Sequence, residues 1–338
     1  MVKLQDIARM AGVSKATASL ALNGSTSVKD ETRQRILEIA EEYHYIPRKH
    51  AQTLACGHSK VIGVVAPNVE SEYYGRLVQC LDKQIQRRGY AMYLGLSNER
   101  QEMEEKMIRH FIASDVEGVV VVPLNMPIDG DKIPYLRMME EQGIPCVFAS
   151  SYYQNTDISC CMVDLEEGTF RLVTHLLNAG CRNIIFYTGL SQAVPSALRI
   201  KGYERAFAAQ RLCVNPANLV ACEQIDYDFA YALTARLLDA GRKIDAVIAV
   251  NDAMALGIVN LLRSRNIAVP GDIAVAGYDN TGYSRVSPVP ITTVNQDLEE
   301  VSWGAVDVLF SQIEKKTFLV SKKIVAPELV VRESTLHV

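Results

Sequence analysis

The chain has 338 residues, a formal net charge of −4, 49% apolar and 22% charged residues, the composition of an ordinary globular protein. This length predicts two or three domains, and no apolar run reaches the roughly 18 residues that a membrane span requires. The N-terminus lacks the charged, apolar and small-residue segments of a secretory signal, so we expect a cytoplasmic protein.

Charge is distributed unevenly along the chain. Residues 1–60 hold nine Lys or Arg against six Asp or Glu, a net charge of +3, so the remainder carries −7. A basic end on an acidic body fits nucleic-acid binding confined to the N-terminal segment. The eight cysteines show no Cys-x-x-Cys pair and no grouping with the six histidines. We therefore expect free thiols, with no metal site and no cofactor.

Residues 4–22 have the pattern of two short helices. Apolar residues recur at helical spacing from Leu4 to Ala11, Gly12 permits a sharp turn, and Ser14 can cap the second helix, which is predicted to end at Asn23-Gly24. The side chains predicted to be buried in the second helix, to differing degrees, are Val13, Ala16 or Thr17, and Leu20. Two such helices form a helix-turn-helix, whose second helix enters the major groove of DNA. A helical hairpin used only for packing is the alternative.

A third helix is predicted over residues 30–43, which place apolar residues on one face and charged residues on the other. The basic stretch from Arg48 to Ala55 has helical propensity, but it is too short and too polar to be stable alone. We interpret residues 47–60 as a linker whose helix orders only against DNA and a second copy of the chain.

From Val61 onwards, short apolar runs alternate with amphipathic segments. Continuous apolarity indicates strands covered on both faces, hence parallel sheets, and the alternation predicts doubly wound α/β units. The predicted strands are 61–66, 90–95, 118–122, 145–149, 184–187, 246–250 and 273–277, and the predicted helices are 73–88, 101–113, 168–180, 197–211, 228–241, 252–265 and 297–314. Seven such units exceed one sheet, so we expect two similar subdomains with a ligand cleft outside the carboxyl ends of their strands.

The whole pattern resembles the LacI/GalR family of bacterial repressors. The residues that carry this resemblance are Asp6–Ser14, Thr17, Ser19, Asn23-Gly24, Thr32-Arg33, Tyr45–Pro47, Ala51, Leu54, Ile62-Gly63, Asn251-Asp252, Val269–Asp279 and Leu298–Gly304. It implies a helix-turn-helix domain (1–46), a hinge helix (47–60) and an effector-binding and dimerisation domain (61–338) like periplasmic binding proteins. The N-subdomain is expected at about 61–160 plus 293–321 and the C-subdomain at about 162–291 plus 322–338, with crossovers near 158–164, 289–295 and 319–325.

The resemblance also implies a repressor that binds a palindromic DNA operator as a homodimer. The residues expected at the DNA are Ser14, Lys15, Ala16, Thr17, Ser19, Asn23, Ala51 and Leu54. Lys15 can donate to guanine and Ala16 can touch a thymine methyl, although a solvated or phosphate-bound Lys15 is the alternative. Leu54 is expected to enter the central base step, or otherwise to pack within the linker.

A small-molecule effector, a sugar or sugar phosphate, is implied between the two subdomains, where the family binds mostly sugars and sometimes purines or nucleosides. The residues expected there are Tyr73, Tyr74, Ser150, Arg199, Tyr227, Asn251, Asp279 and Gln296, with Asp164 as a further candidate. By resemblance, Arg199 grips the ligand and Asp279 pairs with its hydroxyls, and planar bidentate groups of this kind suit a polyol. The tyrosines are expected against the apolar face of a sugar ring, with ordinary packing as the alternative for each. Several sugar-binding relatives carry aspartate at the position of Ser150, which leaves the effector open.

Two other functions are compatible with parts of the sequence. The α/β portion resembles periplasmic sugar-binding proteins, so a sugar-binding protein without DNA function is the alternative. An enzyme is the third hypothesis, but the chain has no P-loop, no Gly-x-Ser-x-Gly and no His-Glu-x-x-His motif. We therefore expect no enzymatic activity.

Overall fold

The computed structural model describes residues 2–22, 25–45, 58–190, 192–316 and 319–336. The chain divides into two compact units, Met1–Lys60 and Val61–Val338. Within the described ranges, no helix combines the length and the apolarity needed to cross a membrane.

The first unit contains three described helices, α1 (Leu4–Met10), α2 (Lys15–Leu22) and α3 (Asp30–Glu42). Their core is formed by Ile7, Ala11, Ala21, Val28 and Ile36. The predicted helix-turn-helix is therefore present, but the prediction that Leu20 is buried is wrong, because its side chain is 45% exposed. The buried residues of α2 are alanines, Ala18 and Ala21, whose short side chains let α2 approach both α1 and α3.

The second unit begins with a six-stranded parallel sheet in the order β11-β5-β4-β3-β1-β2. Its strands are β1 (Val61–Ala66), β2 (Ala91–Leu96), β3 (Gly118–Val121), β4 (Cys146–Ala149), β5 (Ser159–Val163) and β11 (Lys322–Val325). Its helices are α4 (Glu72–Arg87), α5 (Gln101–Ala113), α6 (Pro134–Glu141) and α12 (Leu298–Lys315). In the register of the central strands, Val64 lies beside Leu94 and Val120. Every residue of β1, β3, β4 and β5 is buried, as expected for strands covered on both faces.

A second parallel sheet has the order β7-β6-β8-β9. Its strands are β6 (Ile184–Thr188), β7 (Leu219–Ala221), β8 (Ala246–Ala249) and β9 (Ala274–Ala276), and its helices are α7 (Leu165–Asn178), α8 (Val194–Ala209), α9 (Tyr227–Asp239), α10 (Asp252–Ser264) and α11 (Gly282–Val286). An antiparallel pair joins β10 (Thr293–Asn295) to β12 (Glu328–Val330). Two parallel α/β subdomains that follow a helical head in the chain confirm the predicted fold class.

Two segments expected as crossovers are strands of the first sheet. Residues 158–164 contain β5, and Lys322–Val325 form β11, which pairs with β5. The expected C-subdomain segment 322–338 therefore begins too early, since 322–325 belong to the first sheet. The run of β11 is not continuously apolar because it begins with Lys322 and Lys323 on an outer strand that is partly exposed, so its pattern does not resemble a buried strand.

Candidate functional site

The exposed surface of α2 begins at Lys15. Lys15 and Ala16 are exposed, while Thr17 and Ser19 are partly buried. Ser14 precedes the helix and accepts a hydrogen bond from the Thr17 backbone N–H at 3.1 Å, so its oxygen caps the helix. The first turn of α2 thus presents a lysine and a small apolar residue on a fixed helical end. Asn23, Ala51 and Leu54 lie outside the described residues.

Arg33 of α3 fixes the segment between α2 and α3. Its guanidinium donates to the carbonyl oxygens of Ser25 at 2.8 Å and Val28 at 2.9 Å, and to the carboxylate of Asp30 at 2.8 Å. Lys29, at the start of α3, makes no side-chain cap. Arg33 therefore stabilises the turn before α3, where the N-cap residue, Lys29, makes no side-chain hydrogen bond to the helix.

In the second unit, a chain of hydrogen bonds connects four of the predicted effector residues. The Tyr73 hydroxyl lies 2.6 Å from the Ser150 hydroxyl and donates to Gln296 Oε1 at 3.3 Å. Gln296 Nε2 in turn donates to Asp279 Oδ1 at 2.5 Å. Tyr73 and Ser150 follow strands of the first sheet, whereas Asp279 follows β9 of the second. The chain therefore spans both subdomains at the carboxyl ends of their strands, where open α/β sheets bind ligands.

Arg199 and Asp279 carry opposite charges, and Asp279 is the last residue of this chain of hydrogen bonds. Arg199 is only 6% exposed, and its guanidinium carbon lies 4.2 Å from the centroid of the Tyr278 ring. Its Nε has no hydrogen-bond partner among the described residues. Burial raises the pKa of Asp279 to about 6, although Arg199 and Gln296 pull it down, and the charge of Glu72 pushes it further up. The Asp279 side chain therefore ionises less readily than an ordinary aspartate.

Tyr73 and Tyr74 lie edge to face, with ring centroids 5.4 Å apart and planes at 74°. Burial is the main reason that the pKa of each hydroxyl lies above its ordinary value, and Asp279 raises both further. Both hydroxyls therefore stay protonated and can donate, while the rings offer an apolar wall.

Three other predicted residues have local structural roles. Asn251 caps α10 by accepting from the Met254 N–H at 2.8 Å, and Asp164 caps α7 by accepting from the Glu167 N–H at 2.9 Å. The Tyr227 hydroxyl accepts from Asn260 at 3.0 Å, which lies two turns along α10. The structure does not join these three side chains by hydrogen bonds to the chain from Tyr73 to Asp279.

Two polar residues that the sequence does not single out lie together beside Gly189. Asn125 Oδ1 and Ser196 Oγ are buried and have no hydrogen-bond partner in the described part of the chain. Gly189 lies close to both, because a Cβ there would be 2.8 Å from Ser196 Oγ and 3.4 Å from Asn125 Nδ2. Asn125 follows β3 and Ser196 precedes Arg199 by one helical turn, so the two subdomains present unpaired polar atoms to each other. The only sequence signal was the position of Asn125 after a buried strand.

Asp252 holds the loop that carries Asp279. Its fully buried carboxylate accepts from the Thr281 N–H at 2.6 Å and from the Thr293 hydroxyl at 2.6 Å. Gly277 makes room for it, since a Cβ there would lie 2.3 Å from Asp252 Oδ1. Burial and the nearby Asp279 raise the pKa of Asp252 to about 7. The loop after β9 is thereby fastened to β10.

The cysteines and histidines of the described segments do not suggest a metal centre. No group of three or more His, Cys, Asp or Glu side chains in those segments has the arrangement of a metal site. The cysteines for which the structure gives a state are free thiols, and all but Cys213 are buried.

Comparison with protein families gives two matches. Residues 3–48 match the family described as bacterial regulatory proteins, lacI family, and residues 173–335 match the periplasmic binding protein-like domain. Catabolite control protein A of Priestia megaterium is 28% identical over 317 residues, 94% of each chain. The HTH-type transcriptional repressor PurR of Histophilus somni (strain 2336) is 26% identical over 334 residues, 99% of each chain. These relatives are regulators of transcription and not enzymes.

Solved structures agree with both matches. The lac repressor dimer bound to operator and the anti-inducer ONPF is 25% identical and superimposes with a TM-score of 0.87 over 99% of each chain. The lac repressor bound to ONPG in the repressed state is also 25% identical, with a TM-score of 0.86 over 98% of this chain and 99% of that one. With its helix-turn-helix head and its periplasmic-binding-protein-like domain, the chain belongs to the LacI family of DNA-binding transcriptional regulators.

Proposed function

We propose that this regulator represses transcription by binding a palindromic operator as a homodimer, and that a sugar bound between its α/β subdomains changes its affinity for DNA. One observation carries the effector proposal: Asn125, Ser196 and Arg199 bury polar atoms that have no partner among the described residues. Buried polar groups are nearly always hydrogen-bonded, and each unpaired one costs about 1–3 kcal/mol. A ligand that pairs with all three atoms recovers that free energy.

A hydroxylated ligand suits these three atoms best. Asn125 Oδ1 accepts, Arg199 Nε donates, and Ser196 Oγ does either, while a sugar hydroxyl both donates and accepts. Tyr73 and Tyr74 offer ring faces to the apolar side of a sugar. Among the residues described around this cleft, Arg199 is the cation next to Asp279. The negative charge of Asp279 offsets the positive charge of Arg199. This balance favours a neutral sugar over a sugar phosphate.

Exposed apolar side chains support the homodimer. Val286 and Tyr283 on α11 are 76% and 41% exposed, and Leu94 on the outer strand β2 is 42% exposed. A second copy of the chain would cover such residues, and the lac repressor to which this chain is similar is itself a dimer. Two copies related by a two-fold axis would place two α2 helices on the two halves of a palindrome.

Retention of genomic DNA tests the DNA and sugar proposals together. Purified full-length protein is mixed with sheared DNA of its source organism at physiological salt, with and without glucose, galactose, fructose, sucrose, lactose or cellobiose. We expect a few palindromic fragments to be retained and one sugar to change that retention. Retention no better than for random DNA would contradict the operator proposal, and retention unchanged by every sugar would contradict the sugar proposal.

Sedimentation equilibrium tests the dimer separately. Val286→Asp should convert the dimer to monomers, because a charge at a buried interface is strongly unfavourable. Leu319→Asp is the matched control, since Leu319 is also an exposed apolar residue, 79% exposed. We expect that variant to stay dimeric. Monomeric unmodified protein, or equal dissociation of both variants, would contradict the proposed interface.

A further inference from the structure

A carboxylate is buried at the cleft end of the first sheet. Glu104, in the first turn of α5, is 0% exposed. The Tyr135 hydroxyl donates to its Oε1 at 2.6 Å, and the Tyr153 hydroxyl donates to its Oε2 at 2.9 Å. Both tyrosines are buried as well. One side chain thus joins α5, α6 and the segment after β4.

Tyr153 extends this network to the backbone beside the cleft. Its hydroxyl oxygen accepts from the Leu124 N–H at 2.8 Å, and Phe148 packs edge to face on its ring at 5.5 Å. Leu124 directly precedes Asn125, whose Oδ1 is unpaired, and Tyr153 follows Ser150 by three residues. Tyr153 therefore holds the two segments of the first subdomain that present polar groups to the effector cleft.

The hydrogen bonds fit the ionised carboxylate. Each tyrosine has one hydroxyl proton to donate, and each donates it to an oxygen of Glu104, while the Tyr153 oxygen also accepts from Leu124. A protonated Glu104 would bring an additional donor into this enclosed group, so one of the existing hydrogen bonds would have to break. The titratable groups that face Glu104 are Tyr135 from α6, Tyr153 after β4 and Cys146 from β4. Burial raises the pKa of Glu104 to about 7, while the two tyrosine hydroxyls lower it.

We infer that Glu104 is a positioning residue for the effector cleft: acting through the Tyr153 hydroxyl, its carboxylate fixes the Leu124–Asn125 backbone, and protonation of Glu104 loosens that segment and weakens effector binding. The inference rests on the proposed function, which places Asn125 at the effector. Tyr135 provides an internal comparison, because its hydroxyl binds the same carboxylate but makes no hydrogen bond to the Leu124–Asn125 segment.

Amide hydrogen exchange at Leu124 tests the inference without a ligand. In the full-length protein, we expect the protection of Leu124, corrected for the intrinsic exchange rate, to fall by about tenfold between pH 8 and pH 6, as loss of one buried hydrogen bond predicts. Glu104→Gln should show the same protection at both pH values. Tyr135→Phe should keep the pH dependence but move its midpoint to higher pH, because the Tyr135 hydroxyl lowers the pKa of Glu104. Protection of Leu124 that does not change with pH in the unmodified protein would overturn the inference.

Sugar binding provides the second measurement. Calorimetry with the six sugars named above compares Tyr153→Phe with Tyr135→Phe at pH 8. For a sugar that binds, we expect about tenfold weaker affinity in Tyr153→Phe and little change in Tyr135→Phe. Equal affinities would overturn the positioning role. If none of the sugars binds the unmodified protein, the sugar proposal fails, and the exchange of Leu124 decides alone whether Glu104 positions this segment.

Discussion

A hydrogen bond joins Glu72 of one α/β subdomain to Gly282 of the other: the Glu72 carboxylate accepts from the Gly282 backbone N–H at 2.7 Å. Arg76, one turn further along α4, donates to the Asn280 carbonyl at 3.3 Å. The contacted loop also carries Asp279, and α4 also carries Tyr73. The same two segments therefore contribute to the contact between the subdomains and to the hydrogen-bond chain from Ser150 to Asp279, so a ligand bound at that chain would contact elements that hold the subdomains together.

Glu72→Gln should lower the pKa of Asp279 below its value of about 6. The glutamine keeps an acceptor for Gly282, but it removes the negative charge that raises the pKa of Asp279. An NMR titration of the Asp279 side-chain carboxyl measures the change. Glu70→Gln is the control, because Glu70 is an exposed neighbour that is not among the groups acting on Asp279. An unchanged pKa in Glu72→Gln would show that the contact is not maintained in solution.

The stability of the effector domain should rise as the pH falls from 8 towards 5. The pKa values of Glu104 and Asp252 are raised to about 7 and that of Asp279 to about 6 in the folded chain, well above their ordinary values of 4.5 and 3.8. The folded state therefore binds protons that the unfolded state releases, and this stability is lost as the pH rises through the folded pKa. His175 acts in the opposite direction, since burial lowers its pKa.

Urea unfolding of the full-length protein at pH 8 and pH 6 measures this difference. We expect a higher midpoint at pH 6, by an amount equivalent to about 1–3 kcal/mol. Glu104→Gln should reduce the difference because it removes one of the three titrating carboxyls. A higher midpoint at pH 8 would mean that these groups are more exposed than the structure shows.

The strands could be predicted from the sequence where both of their faces are buried. β1, β3, β4, β6 and β8 are continuous apolar runs because helices or neighbouring chain cover them on each side. β7 and β12 were not predicted, because these three-residue strands include exposed or partly exposed residues. The sequence predicts a crossover at β5, although this strand is buried, because its run of Ser159, Cys160 and Cys161 is not strongly apolar.

The candidate site could be predicted only in part. The resemblance singled out Tyr73, Ser150, Asp279 and Gln296, and the structure connects these four by hydrogen bonds. Ser196 and Glu104 carry no local signal, and the position of Asn125 after a buried strand is a weak one, because an isolated polar residue after a strand or in the first turn of a helix is usually solvated. Their proximity arises from the tertiary fold, which brings together residues far apart in the chain.

Ser14→Ala and Lys15→Ala should separate folding of the head from DNA recognition. Ser14→Ala removes the cap on the Thr17 N–H and should lower the free energy of unfolding of the head by about 1 kcal/mol. Lys15→Ala should change that free energy by less than about 0.5 kcal/mol, because Lys15 is exposed. Thermal unfolding and the sequences of retained fragments give the two measurements. We expect Lys15→Ala to relax the base preference at one position in each half-site. Unchanged preference would place Lys15 on a phosphate.

Arg199→Ala should abolish the response to sugar while leaving operator retention in its absence nearly intact. The variant removes the unpaired Nε donor, and it also removes the cation that lowers the pKa of Asp279, so that pKa should rise above about 6. Arg199→Lys is the informative comparison, because lysine restores a positive charge but not the planar fork of donors. We therefore expect Arg199→Lys to lower the pKa of Asp279 again without recovering the sugar response. Recovery of the response in Arg199→Lys would indicate that charge alone is required at this position, and a normal response in Arg199→Ala would place the effector elsewhere.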